Sequence, residues 1–276
     1  MRSLPDVTTP DRIERAGRMI LSTTQYLLGA MSGSLVGLTL GVVGGGGSIL
    51  AVPLMVYLVG VPSPHMAIGT SALAVAANAF SGLVGHACAH TVKWRCGGMY
   101  AASGVLGALG GSVLGKMMNG QKLLFLFALL MIAIAVQMLR GRKREGNPGA
   151  ECNREKAPKV LAYGLGTGLF SGFFGIGGGF LIVPGLVAST GMPLLNAVGS
   201  SLVAVTAFGL TTAASYAFSG LVDWPLAIMF ILGGIAGSMV GIAVGRYLAG
   251  RSGMLGTVFA GLIFVVAAYM LWKTLT

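Results

Sequence analysis

The chain has 276 residues, of which 55% are hydrophobic and only 9% charged, with a formal net charge of +11. Soluble globular chains carry about a quarter of charged residues, so this composition excludes an ordinary water-soluble domain and points to a lipid bilayer as the solvent. The positive charge accompanies no folded basic domain, which argues against a nucleic-acid partner.

Residues 1–18 form a polar N-terminal segment with Arg2, Arg12, Arg15 and Arg18. Arginines before an apolar run can mark a signal peptide. No convincing small-residue cleavage site follows, so the run is read as a retained first membrane segment. Apolar segments then run over about 19–43, 47–60, 66–90, 97–117 and 122–139. The stretch "GRKREGNPGAECNREKAPK" (141–159) combines Pro, Gly and nine charges and reads as a solvated linker. Beyond it, apolar segments return over about 160–174, 178–191, 197–221, 225–248 and 254–272. The chain thus divides into an N-terminal segment, a membrane repeat over 19–140, a linker over 141–159 and a second membrane repeat over 160–276.

The word repeat rests on an ungapped alignment. "GLTLGVVGGGGSILAVPLMVYLVG" (37–60) set over "GLFSGFFGIGGGFLIVPGLVASTG" (168–191) gives eleven identities in 24 positions, six of them glycines. After a one-residue deletion, "AIGTSALAVAA" (67–77) pairs with "AVGSSLVAVTA" (197–207), and "TVKW" (91–94) with "LVDW" (221–224). Gly104, Gly107, Gly111 and Gly115 pair with Gly234, Gly237, Gly241 and Gly245. Their spacing of three to four lays small residues along one helix face for close packing. Internal duplication of this kind is typical of secondary transporters.

Each half carries a glycine run inside an apolar segment. Lys159 to Gly191 would make a helix of about 50 Å, too long for one crossing and short for two. The pattern therefore predicts an all-α membrane protein with two repeats of about four to five helical segments, each containing half-length helices broken at glycine. Irregular backbone at membrane depth is tolerated only where it is buried in protein or lines a wet cavity. Gly-interrupted segments at matching positions of two halves point to a transport site. A helix that starts at such a break presents free N–H groups and a positive dipole end to an anion. The candidate substrate-binding residues are Gly44, Gly45, Gly46, Gly47 and Ser48 in the first half, and Gly175, Gly177, Gly178 and Gly179 in the second. The hydroxyl pairs Thr70–Ser71 and Ser200–Ser201, at matching places in the next helix, join them as donors to an oxyanion. Asn78 has no polar counterpart, since Phe208 stands at its aligned position.

Other chemistry is thin. The membrane region is almost free of carboxylates, and Asp223 is the one candidate for a cation site. His86 and His90 lie four apart, but no third metal ligand is evident. His65 reads as a loop residue. The three cysteines form no spacing motif, and an odd count argues against a disulfide framework. No cofactor motif, Walker signature or acid–base pair is found, so an enzyme is not expected.

"GVVGGGGSILAVPLMVYLVGVP", "AIGTSALAV" and "VKW", with "GIGGGFLIVPGLVASTGMP", "AVGSSLVAV" and "VDW", resemble the sulfite exporter TauE/SafE family of membrane permeases over about residues 20–275. Two details depart from that family pattern: Lys93 stands where "VDW" carries its acid, and Gly45 replaces an apolar residue. The resemblance implies a multi-pass inner-membrane protein that moves small anions, sulfite or organosulfonates above all. A passive anion channel, or a permease for a small organic acid without sulfur, is the alternative expectation. The oligomeric state is open. If each broken segment crosses the membrane once, the halves are parallel and the basic N-terminus and linker share the cytoplasmic side. If it is a re-entrant hairpin, the halves are inverted. Half-helices facing a central site favour the inverted arrangement, which is the expectation adopted.

Overall fold

The computed structural model describes residues 22–43, 45–140, 156–247 and 252–275. The N-terminal segment, most of the linker and Gly44 lie outside them. Among the described residues the protein is all-helical, as the composition requires of a chain crossing a bilayer away from any barrel.

The first half begins with α1 (Thr23–Val43). A short composite helix follows, called α2 here: 3-10 over Gly45–Leu50, α over Ala51–Pro53 and π over Leu54–Leu58. Then come α3 (Pro64–Cys88), α4 (Trp94–Met117) and α5 (Gly120–Arg140). The second half runs α6 (Ala157–Phe174), α7 (Gly179–Thr190), α8 (Leu194–Ala217), α9 (Trp224–Tyr247) and α10 (Ser252–Leu275). Helices α3, α4, α5, α8 and α9 contain spans long and apolar enough to cross a membrane. Their outward faces carry exposed Leu106, Met117, Leu232 and Met239, the side chains lipid would cover.

The halves interlock. Helix α1 packs against α9, α6 against α4, α3 against α8 and α5 against α10. The glycine stripes make the first two contacts backbone-tight. A Cβ on Gly37 would collide with the Gly234 carbonyl, and one on Gly237 with the Ser34 carbonyl. In the other pair, a Cβ on Gly107 or Gly111 would collide with the Leu165 or Leu169 carbonyl. The small residues of each half thus accommodate a helix of the other half. Without a solvent-driven collapse inside lipid, this close van der Waals packing is what holds helices together.

Polar contacts fix which helix ends share a level. At one end of the bundle, His65 in the first turn of α3 lies 3.2 Å from the Gly115 carbonyl near the end of α4. His65 was expected in a loop, but Ser63 and Pro64 start the helix one residue earlier, with Ser63 Oγ accepting the Met66 N–H. The Asp223 N–H, at the start of α9, donates to Thr70 Oγ1 of α3 at the same end. At the other end, Asn196 of α8 donates to the Thr91 carbonyl just before α4 at 3.0 Å.

The glycine breaks are hairpins with unequal limbs. Half-length helices were expected; α6 has 18 residues and α7 has 12. The long limb comes close to spanning the bilayer, at about 27 Å, and the short one covers about 18 Å. Lys156 Nζ, beside the start of α6, donates to the Thr190 carbonyl at the end of α7 at 2.9 Å. Gln25 Nε2, near the start of α1, donates to the Val59 carbonyl just after α2 at 3.2 Å. Each hairpin therefore returns to the end it entered from. The α1–α2 hairpin enters beside Leu226 of α9, which a Cβ on Gly29 would touch. The α6–α7 hairpin enters beside Tyr100 and Ser103 of α4, which a Cβ on Gly164 would touch. Those are opposite ends of the bundle.

Candidate functional site

The second glycine turn is built by backbone conformations that side chains resist. Gly175, Gly177 and Gly178 have φ of 68°, 64° and 68°. A left-handed residue costs an L side chain about 1 kcal/mol or more, and glycine nothing comparable. The Gly175 N–H closes α6 on the Ser171 carbonyl at 2.8 Å. The Gly178 carbonyl then accepts the Leu181 and Ile182 N–H groups, both at 2.9 Å, and so starts α7. The N–H groups of Gly179 and Phe180 precede that first bond and are left as orphan donors. The turn is wedged between α3 and α8: a Cβ on Gly177 would lie 2.8 Å from Val75 and 3.3 Å from Val205. Gly175 backs onto Ile68.

In the first half Gly45, Gly46 and Gly47 lie in the 3-10 turn with Ser48. Gly47 and Ser48 are buried. Gly47 backs onto Thr39 and Leu40 of α1. The 3-10 turn packs directly against α7 and against α8. The first glycine break, 131 residues before the second in the alignment, thus packs against the helix that the second one starts.

Thr70, Ser71, Ser200 and Ser201 are all fully buried, but they divide by chemistry. Ser71 Oγ donates to the Ile68 carbonyl at 3.1 Å and Ser201 Oγ to the Val198 carbonyl at 2.7 Å. Their hydrogens are committed to their own helices, which leaves them only acceptor lone pairs. Thr70 and Ser200 instead accept a backbone N–H from the other half: Asp223 to Thr70 at 3.0 Å, Lys93 to Ser200 at 2.8 Å. Each therefore steadies the start of α9 or α4 and keeps its own O–H. The two pairs bond to the starts of α9 and α4, and the Ile68 carbonyl that accepts from Ser71 lies beside Gly175 of the second turn.

Asp223 is accounted for as a helix cap. Its Oδ1 accepts the Leu226 N–H at 2.9 Å in the first turn of α9. Trp94 and Trp224 beside these starts are each 57% exposed, as interfacial anchors are. His86 Nδ1 lies 2.8 Å from Thr91 Oγ1, and His90 is exposed. Among the described residues no group of three His, Cys, Asp or Glu side chains could hold a metal. Cys88 is free and exposed.

Two interior residues carry more than the sequence indicated. Ser171, in the last turn of α6, has a fully buried Oγ without a hydrogen-bond partner. Its aligned position in the first half is Leu40, so the duplication does not mark it. Asn78 is 1% exposed, and neither amide atom has a partner. Its amide packs onto Gly234 of α9, while Phe208 packs onto Gly104 of α4. The same paired position holds an amide in one half and a phenyl ring in the other.

A family model described as sulfite exporter TauE/SafE matches residues 29–270. A probable membrane transporter protein of Xylella fastidiosa (strain 9a5c) is 49% identical over 246 residues, covering 88% of this chain and 94% of its own. The probable membrane transporter protein YunE of Bacillus subtilis is 27% identical over 241 residues, covering 80% of this chain and 86% of its own. A probable membrane transporter protein of Methanocaldococcus jannaschii is 25% identical over 253 residues, covering 87% and 92%. No solved structure matches.

Proposed function

The chain belongs to the sulfite exporter TauE/SafE family of membrane transporters, and on that footing we propose that it is a secondary carrier of a small oxyanion, sulfite or an organosulfonate. It is a multi-pass membrane protein and not an enzyme. The observation that carries the proposal is the packing of the first glycine turn against α7, the helix that begins at the second. That contact sets the first glycine turn against a short helix whose first N–H groups have no helical acceptor, and Asp223, the one carboxylate among the described residues, caps α9 instead. A neutral donor set suits an anion that must also leave: the dipole and N–H groups attract it without the deep well of a buried cation.

The repeat reading belongs to the same proposal. Gln25 and Lys156 stand at the alignment offset of the two glycine windows, as do Val59 and Thr190. The two hydrogen bonds that close the hairpins therefore fall on matching positions, and the hairpins enter from opposite ends. Both points support inverted repeats. In such a pair, motion of one part of the assembly against the other exposes a central site alternately to each side.

The experiment is ligand-dependent thermostability of the purified protein with sulfite, sulfate, thiosulfate, taurine and acetate. The proposal expects a concentration-dependent rise in melting temperature with sulfite or taurine that exceeds that with acetate, as selective binding to the folded state requires. Equal responses to all five, or none, would remove the oxyanion reading.

A further inference from the structure

Helical serine and threonine hydroxyls normally donate to the carbonyl three or four residues back. Thr39, Ser71 and Ser201 do so here. Ser171 does not: its Oγ is fully buried and has no partner among the described residues. The hairpin folds the glycine turn back over it. A Cβ on Gly178 would lie 2.8 Å from Ser171 Cβ and 3.0 Å from Ser171 Oγ. The hydroxyl thus faces the residue that starts α7, a helix of 12 residues. The orphan N–H groups of Gly179 and Phe180 begin at the same point.

This combination asks for a ligand of one kind. It offers neutral hydrogen-bond donors and the positive end of a helix dipole, so it takes an anion with acceptor oxygens. Hydrogen-bond donors and a positive dipole end repel a cation. Asp223, the one carboxylate among the described residues, is occupied in capping α9.

The first half lacks the equivalent donor. Leu40 stands at the position aligned with Ser171. The neighbouring Thr39 hydroxyl, which lies over Gly47, is bonded to the Leu35 and Val36 carbonyls at 3.1 and 2.9 Å. The two turns are therefore chemically unequal.

Resting on the carrier reading above, we infer that Ser171 and the start of α7 form the principal oxyanion half-site, with the Gly45–Leu50 turn as its cover. Ser171 Oγ donates to one ligand oxygen, and the Gly179 and Phe180 N–H groups to another. A sulfite or sulfonate group, with several acceptor oxygens on one centre, fits this set.

The test uses the full chain in proteoliposomes with labelled sulfite, and the variants Ser171→Ala, Ser171→Thr and Leu40→Ala. A hydrogen bond to a charged ligand is strong enough that its loss costs about tenfold in affinity. Ser171→Ala is expected to raise the half-saturating sulfite concentration about tenfold, with folded yield undiminished and the ligand-free melting temperature unchanged or raised, since an unpaired buried hydroxyl is removed. Ser171→Thr, which keeps the hydroxyl, is expected to lose less affinity than Ser171→Ala, and Leu40→Ala, at the matching position without a hydroxyl, to change half-saturation less than Ser171→Ala. Unchanged saturation in Ser171→Ala overturns the half-site while leaving the carrier reading intact. So does a fall in ligand-free melting temperature shared by Ser171→Ala and Ser171→Thr, which would make the position structural. Absence of saturable uptake by the unsubstituted protein overturns the carrier reading and the half-site with it.

Discussion

The backbone N–H of Asp223 donates to Thr70 Oγ1 at 3.0 Å, a bond between residues 153 positions apart. Its counterpart joins the Lys93 N–H to Ser200 Oγ at 2.8 Å. Both N–H groups belong to residues just before a membrane helix, where no intrahelical acceptor exists. Thr70→Val or Ser200→Ala strands one such donor and is expected to cost about 1–2 kcal/mol of stability. Thr70→Ser should cost much less. Because the two bonds lie at opposite ends of the bundle, the double variant should lose about the sum. Unfolding of the purified single and double variants reads this directly. A stable Thr70→Val would mean that the bond does not hold the start of α9.

The glycine stripes make a contrast within one helix. Gly107 lies against the Leu165 carbonyl, whereas a Cβ on Gly110 would meet nothing within 4 Å. Gly110→Ala should be neutral or stabilising by up to about 1 kcal/mol, the helix-propensity gain. Gly107→Ala forces α4 and α6 apart and should cut folded yield sharply. Monodispersity after detergent extraction separates the two cases. Equal yields would contradict the backbone-tight contact.

Asn78 is held in the interior without a partner for either amide atom. Burying an unpaired polar group costs about 1–3 kcal/mol, and replacing it by an apolar group of like shape relieves that cost. Asn78→Leu is therefore expected to raise the melting temperature of the ligand-free protein. A drop would show that the amide is bonded in the folded protein by water or solute.

The two hairpin bonds, Gln25 to Val59 and Lys156 to Thr190, lead to a topology that tags can read. A reporter in the 141–155 linker and one at the C-terminus should lie on opposite faces of the membrane. Detection of both from the same side would rule out inverted repeats.

Much of this architecture was legible in the sequence. The apolar segments fall close to the ten helices, because a bilayer demands long apolar runs and leaves little room for ambiguity. The role of Gly104, Gly107 and Gly111 in packing followed from their spacing, although which helix they meet did not. Inverted halves built on returning hairpins were the expectation adopted, but the unequal limbs were hidden: a segment of 33 residues fits one long limb and one short limb as well as two equal ones. Thr70 and Ser200 were selected as ligand donors because hydroxyls in paired positions suggest chemistry. Their bonds to Asp223 and Lys93 depend on contacts more than a hundred residues apart, which no local pattern encodes. Ser171 carries no such mark, since the other half has Leu40 in its place and nothing local shows that its hydroxyl lacks a partner.

The central claim is that the interior glycine turns serve a carrier of oxyanions. Counterflow measures it most directly: liposomes holding the protein are loaded with unlabelled sulfite and diluted into a trace of labelled sulfite. An alternating site predicts a transient accumulation of label above the external concentration, which collapses when the internal sulfite is omitted. Label that enters at the same rate with and without internal sulfite, in proportion to its gradient, would contradict the account.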